Sequence, residues 1–303
     1  HRKNRYSSYI ADIEKGLVTK RERTVRLLND LLCPSPEILC SMLDNESNKL
    51  RLWERSYEDD DFLAIRMGLG NRPFEVRLKT PKQGFQLYED ELRNLPTELS
   101  KKYGILSNVP LTLDIRTNHT IGIIGSQKNI RAILYETILN IISLHSYDEV
   151  KLVLVTAPKQ AHIFDDFKNV PHIWSNDKKV RFFATNPDEV HFIFNIIDET
   201  IKEREGSQDR VNPSIPHFVM IVTEPNLIEK EALLRYINDA DNQVGITTIF
   251  AYGDVTKLPK SCKTIIQSDD TRTGYYIKNK NANRFIPFAL DSIETSRIRS
   301  FAN

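Results

Sequence analysis

The sequence predicts an α/β fold, a doubly wound and mostly parallel sheet sandwiched by helices, with a smaller helical and β segment ahead of it. Three observations predict it. From about residue 110, strand-like and helix-like stretches alternate, the pattern of βαβ units. Two of the strands, 151–155 and 218–222, are nearly continuous apolar runs, as strands buried on both faces are. A glycine-bearing turn between 119 and 129 joins one strand to a long helical stretch.

The elements follow in order. Residues 6–32 read as helix, because Ile10, Ile13 and Leu17, then Leu27, Leu28, Leu31 and Leu32, recur at helical spacing. Pro34 and Pro36 stop it, and Ser35 with Pro36 starts a short helix through Met42. Phe62, Ile65, Met67 and Leu69 form a strand. A turn is expected at Gly70-Asn71-Arg72-Pro73, and a second strand through Phe74, Val76 and Leu78. Residues 87–103 form a helix with an expected break at Pro96. Beyond it, strands are predicted at 111–115, 119–124, 150–156, 180–184, 217–223 and 246–251, and helices at 128–145, 188–204 and 227–239. Segments 263–267 and 273–277, around Asp269-Asp270, suggest a closing hairpin.

Composition sets limits on function. The chain has 303 residues, enough for one large domain with an appendage, and a net charge of +1, so global charge makes no case for nucleic acid. Residues 1–26 are the exception, with eight basic and three acidic side chains. Such a stretch suits a solvated helix face, or a segment just inside a membrane. Cys33, Cys40 and Cys262 have no metal-ligand spacing and fit buried free thiols in a reducing compartment. No apolar run approaches the roughly 18 residues of a membrane span. The chain has no initiator Met or signal peptide, and it begins as an excised fragment would.

The turn at 119–129 carries the chemistry to be weighed. A phosphate loop reads G-x-x-x-x-G-K-[ST] between a strand and a helix. Laid on Gly122, it puts Gln127 at the second glycine, Lys128 at the lysine and Asn129 at the hydroxyl that holds Mg²⁺. Gln127 has a Cβ and is disfavoured at positive φ. A shifted register through Gly125 and Ser126 is the alternative. A tight turn with no ligand outweighs tight Mg²⁺–ATP binding, while weak anion binding at the helix N-terminus stays open. A second element supports a Rossmann-like, P-loop-NTPase-like ancestry. The apolar strand 217–222 ends in Thr223-Glu224, where a nucleotide motor carries Asp-Glu. Glu224 is thus the candidate catalytic base, but the metal-orienting Asp is replaced by Thr223. No metal site is expected and no cofactor, ATP/Mg²⁺ being at most weak. Trp53 and Phe62 beside Arg51, Arg55 and Arg66 could form a nucleic-acid platform, but packing is the better reading beside the acidic run 58–61.

Several stretches together resemble one family. Leu52-Trp53-Glu54-Arg55, Asp59-x-Asp61-Phe62-Leu63 and Ile65-Arg66-Met67-Gly68-Leu69-Gly70 resemble a stretch of the type VII secretion ATPases, the EssC/EccC proteins of the FtsK/SpoIIIE class. So do Gly122 and Gly125 in their turn, Ser143-Leu144-His145-Ser146, and Ile215-Pro216-His217 leading its strand. The resemblance covers essentially the whole chain, and richness in Lys, Asn and Ile leans toward the EssC branch. It implies the membrane-proximal domain that follows the transmembrane helices. Residues 1–50 would be a juxtamembrane helical stalk, 51–109 a small α+β segment and 110–303 a degenerate ATPase-like domain. It also implies a place on the cytoplasmic face of a bacterial membrane. The expected partners are downstream ATPase modules of the same chain, other membrane proteins of the secretion machinery, and a homo-oligomer, hexameric in the parent. Small helical secreted substrates would be met only indirectly, and no nucleic acid. Two competing expectations stand beside this coupling module: a weak nucleotide-binding or ATPase domain using Lys128 and Glu224, and a DNA translocase by analogy with FtsK.

Overall fold

The computed structural model describes residues 2–74, 91–206, 215–239, 244–277 and 284–303. In chain order the helices are α1 (Arg2–Leu27), α2 (Pro36–Cys40), α3 (Glu46–Lys49), α4 (Glu91–Tyr103), α5 (Gln127–Leu144), α6 (Pro187–Gly206), α7 (Leu234–Ile237) and α8 (Thr295–Ala302). The strands are β1 (Ala64–Pro73), β2 (Ile105–Asp114), β3 (Thr120–Gly125), β4 (Val150–Val155), β5 (Phe183–Ala184), β6 (His217–Val222), β7 (Ile246–Gly253), β8 (Thr264–Ser268), β9 (Thr273–Ile277) and β10 (Phe285–Ala289). The described residues form two compact units, one of 1–34 with 69–111 and one of 35–68 with 112–303.

The first unit gathers α1, a π-helical turn at Leu28–Leu32, α4 and most of β2. Leu28, Leu106 and Val109 form a small core with Val25 and Phe74 against it. Glu14 of α1 accepts hydrogen bonds from Lys102 Nζ (2.8 Å) and Tyr103 Oη (2.7 Å) of α4. Asn108 takes φ +57°, a left-handed conformation Asn tolerates. It shifts the alternation of β2, so Leu106, Val109, Leu111 and Leu113 are all buried. That shift hides the first half of the strand from a period-two reading, which starts it only at 111. The helix α4 runs through Pro96 instead of breaking there. Pro96 removes one intrahelical N–H bond in the second turn, and the helix gives out at Gly104.

The second unit is the expected α/β fold. Its sheet runs β1-β10-β9-β8-β3-β7-β6-β4-β5. From β8 to β5 the strands carrying the site are parallel. Val153 and Val155 of β4 face a core with Val190, Phe194 and Ile197 of α6 and with Phe218 and Phe250. Leu152 and Leu154, on the opposite face by strand alternation, are equally buried. The helix α5 packs on β3 and β7. Burying each such side chain contributes about 1.5–3 kcal/mol, which is why these strands tolerate almost no polar residue.

Two further expectations about elements are corrected. The turn at Gly70–Pro73 is absent, and β1 continues through it. Gly68 explains the strand's course: at φ +131°, a Cβ there would lie 2.1 Å from the Ala289 carbonyl oxygen, so only glycine lets β10 close on β1. The expected second strand at Val76 and Leu78 lies outside the described residues. The helix at 227–239 is a 3₁₀ turn (Pro225–Leu227) and the single turn α7. Its buried residues Ile228, Leu233 and Ile237 include a spacing of five, which one helical face does not support. The hairpin around Asp269 forms as expected: β8 and β9 pair antiparallel, and Asp269 accepts from the backbone of Thr271 and Arg272. The β10 strand and α8 are additions that the sequence reading lacked.

Candidate functional site

The strand β3 lies between β7 and β8, and its carboxyl end is beside a reversal in strand order, where open α/β sheets hold ligands. Gly122 is not a loop residue. It is buried inside β3, paired with Phe250 and Ile265, and a Cβ there would meet the Leu258 side chain at 2.4 Å. Gly125 ends the strand at φ +133°, against the backbone of Ser268. The Ser126 N–H donates to the Ser268 carbonyl at 3.0 Å. The helix α5 begins at the next residue. Ser126 is therefore the whole connection between strand and helix.

That connection caps the helix with its own side chain. Ser126 Oγ accepts from the Asn129 N–H at 3.4 Å, and its carbonyl accepts from the Ile130 N–H at 2.9 Å. Gln127 is exposed and lies over Gly253 at the end of β7, where a Cβ would meet its amide nitrogen at 3.3 Å. Lys128 is exposed and has no ion-pair partner among the described residues. A narrow cleft of about 40 Å³ opens beside this turn, lined by Gln127, Arg131, Gln160, Ile163, Thr223 and Tyr252 among others. Nucleotide-sized ligands occupy pockets of about 300–1,000 Å³.

The sequence-derived residues divide by position. Gln127 and Thr223 line the same cleft, while Gly122, Gly125, Ser126, Lys128, Asn129 and Glu224 do not line it. The Thr223 hydroxyl donates to the Thr156 hydroxyl (2.8 Å) at the end of the neighbouring strand β4. The Glu224 carboxylate starts the 3₁₀ turn after β6, accepting from Asn226 Nδ2 at 2.9 Å and the Asn226 N–H at 3.4 Å. Among the described residues, no group of three or more His, Cys, Asp or Glu could hold a metal ion.

A polar line leaves the cleft that the sequence did not reveal. Arg131 donates to Tyr135 Oη (3.0 Å), which donates in turn to the Ile163 carbonyl and lies 3.1 Å from Asp166. Arg299 of α8 grips Asp166 at 2.6 Å. Burial raises the Asp166 carboxyl, but Arg299 and Tyr135 outweigh it and hold the group below its ordinary value. These residues span more than 160 positions, so no local pattern could have brought them together.

The segment around Trp53 turns inward. Phe62, Arg55 and Arg66 are buried, so they offer no platform for bases. The backbone N–H groups of Trp53 and Arg55 donate to the carbonyls of Ser143 and Leu144, and the Trp53 indole donates to Ile142. The Leu63 N–H donates to His145 Nε2 at 3.0 Å. The Phe62 ring meets those of His145 (5.2 Å) and His217 (6.3 Å) edge-on. Burial pushes both histidines down to about 3, and His172 down to about 4.

Comparison with known proteins finds similarity to proteins of bacterial secretion systems. It is 26% identical over 254 residues to the ESX secretion system protein EccC of Geobacillus thermodenitrificans, covering 83% of this chain and 17% of that protein. It is 23% identical over 288 residues to YukB of Bacillus subtilis, covering 94% and 19%. It is 26% identical over 269 residues to the type VII secretion system protein EssC of Staphylococcus aureus, covering 85% and 18%. The chain thus spans under a fifth of the length of these relatives. No family model matches. Among solved structures, ATPases 2 and 3 of EssC from Geobacillus thermodenitrificans superpose with a TM-score of 0.49 at 12% identity, covering 83% of this chain and 50% of that one.

Proposed function

We propose that this chain, homologous to the type VII secretion ATPases EccC, YukB and EssC, is an ATPase-like module that does not hydrolyse nucleotide. It couples a membrane-proximal stalk to ATPase modules elsewhere in a longer chain. The observation that carries this reading is the one-residue connection at Ser126. A phosphate loop wraps phosphates with N–H groups from several residues between its strand and its helix. Here the strand runs to Gly125, the helix starts at Gln127, and Ser126 occupies an N–H a phosphate would use. The supporting chemistry agrees. Thr223 engages Thr156 where a motor's Asp would orient Mg²⁺, and Glu224 is committed to capping a turn.

On this reading the module works at the cytoplasmic face of a bacterial membrane, with the basic α1 toward the lipid headgroups. Its partners are the other ATPase modules of its chain, membrane proteins of the secretion machinery and further copies in a hexamer. Secreted helical substrates act on it only through those modules. Among the described residues, no helix is long and apolar enough to cross a membrane.

Steady-state hydrolysis and calorimetric titration with Mg²⁺–ATP test this. The expected result is background turnover, unchanged in Glu224→Gln, and no heat at millimolar nucleotide. Turnover that Glu224→Gln abolishes sinks the reading. One observation favours a second reading, weak nucleotide binding. Lys128 stands exposed and without an ion-pair partner among the described residues in the first turn of α5. Heat lost in Lys128→Ala would establish that alternative.

A further inference from the structure

The helix that starts at the Ser126 turn carries a buried acid. Glu136 of α5 is only 6% exposed. Beside it, Arg66 of β1 holds Asp291, just past β10, through two hydrogen bonds: Nε to Oδ2 at 2.7 Å and Nη2 to Oδ1 at 3.0 Å. Arg66 and Asp291 are themselves buried, with side chains 3% and 9% exposed. The guanidinium charge is already matched by one carboxylate. Glu136, one turn before Asn140 on the same face of α5, brings a second carboxyl to this cluster, and its Oε1 is buried with no hydrogen-bond partner among the described residues.

A hydrogen bond between two carboxyl groups needs a proton. With both groups ionised, one guanidinium would face two buried negative charges, which burial strongly disfavours. Glu37 of α2 adds a further negative charge nearby. Asn140, one turn along α5, offers no charge. Its Nδ2 donates to the Glu136 carbonyl at 2.9 Å and its Oδ1 accepts from the Arg66 N–H at 3.3 Å.

We propose that Glu136 and Asp291 form a proton-holding clasp: one shared proton ties α5 to the end of β10, and losing it at higher pH loosens α5 from β1 and β10. The clasp sits on the same helix as the altered turn but does not depend on whether nucleotide binds there. Burial first, then the hydrogen bond to Asp291, push the Glu136 carboxyl well above its ordinary value of 4.5. Its contribution to stability is therefore complete below that unfolded value and is lost as pH rises through the folded one.

Glu136→Gln tests the clasp, because an amide can donate to Asp291 without titrating. Thermal midpoints of wild type and variant are compared from about pH 6 to about pH 9.5. The expected result is that the wild type falls relative to Glu136→Gln by several degrees across that range. Parallel curves overturn the proposal. Asp291→Asn should likewise flatten the alkaline decline, since an ionised Glu136 would then meet Arg66 without a competing carboxylate at position 291. Should the variants fail to fold, infrared spectroscopy of the wild type with ¹³C-carboxyl glutamate decides. A protonated glutamic acid band persisting at neutral pH supports the clasp, and its absence overturns it.

Discussion

Mild acid should destabilise this chain through three buried histidines. His145, His172 and His217 are 0%, 1% and 3% exposed. Burial, followed by the charges of Arg55 and His172 at His145 and of Arg116 and Arg204 at His217, pushes those two from 6.5 down to about 3. Burial also takes His172 down to about 4, against the opposing hydrogen bond to the His145 carbonyl. Between the unfolded and folded values the unfolded chain binds a proton that the folded chain refuses, so stability falls as pH drops from about 6.5 toward 3. From about pH 7.5 to about pH 5 each histidine accounts for roughly 2 kcal/mol, and the three together for roughly 6. That is a large part of the about 5–15 kcal/mol typical of a folded domain. Urea unfolding followed by tryptophan fluorescence measures it, since Trp53 lies against Tyr147 and His172 and should report loss of their packing. His217→Asn should lose its share of the slope, about 2 kcal/mol over the same interval. An unfolding free energy that is flat between the two pH values, or a variant slope equal to that of the wild type, would refute the reasoning.

Four further outcomes are expected. Gly125→Ala should cost more than about 2 kcal/mol in chemical denaturation, because its Cβ would lie 1.7 Å from the Ser268 oxygen at a φ closed to alanine. Gly16→Ala, inside α1 with nothing within 4 Å, should instead stabilise by about 0.4–1 kcal/mol. Arg299→Ala should speed amide exchange across α8 while leaving α6 unchanged, since Arg299 is the ionic anchor of α8 on Asp166. The combined change Gln127→Gly, Asn129→Thr and Thr223→Asp restores the letters of a nucleotide motor, yet should restore no hydrolysis, because one residue still joins β3 to α5.

What the sequence revealed follows from locality. The strands 150–156 and 217–223 were legible because burial on both faces strips them of polar residues, and the hairpin because Asp269 marks its turn. The strand β10 was not, because it is short and holds Pro287 in its centre. The helix at 227–239 was over-read because charged residues between apolar ones mimic an amphipathic face. At the site, the identities of Gln127, Asn129 and Thr223 could be read against a template, but the length of the turn could not. Where β3 stops is set by the approach of Gly125 to Ser268, a contact across 143 positions. The Arg66–Asp291 pair spans 225 positions, and nothing in a linear pattern joins it to Glu136.

Several of the letters that carry the family resemblance meet at the carboxyl end of α5. Trp53, Arg55 and Leu63 hydrogen-bond the 143–145 segment that closes α5, and Phe62 packs between His145 and His217. They form a packing joint that fixes 52–68 as an extra layer on the carboxyl end of α5. The amino end of the same helix is where the nucleotide letters fail, and its middle is tied to β1 and β10 by Arg66, Asp291 and Glu136. In nucleotide-driven switches, segments beside the site are ordered by the γ-phosphate and released on hydrolysis. On the proposed coupling role, a helix held at its carboxyl end and its centre, with a one-residue turn at its start, would carry position from one neighbour to the next.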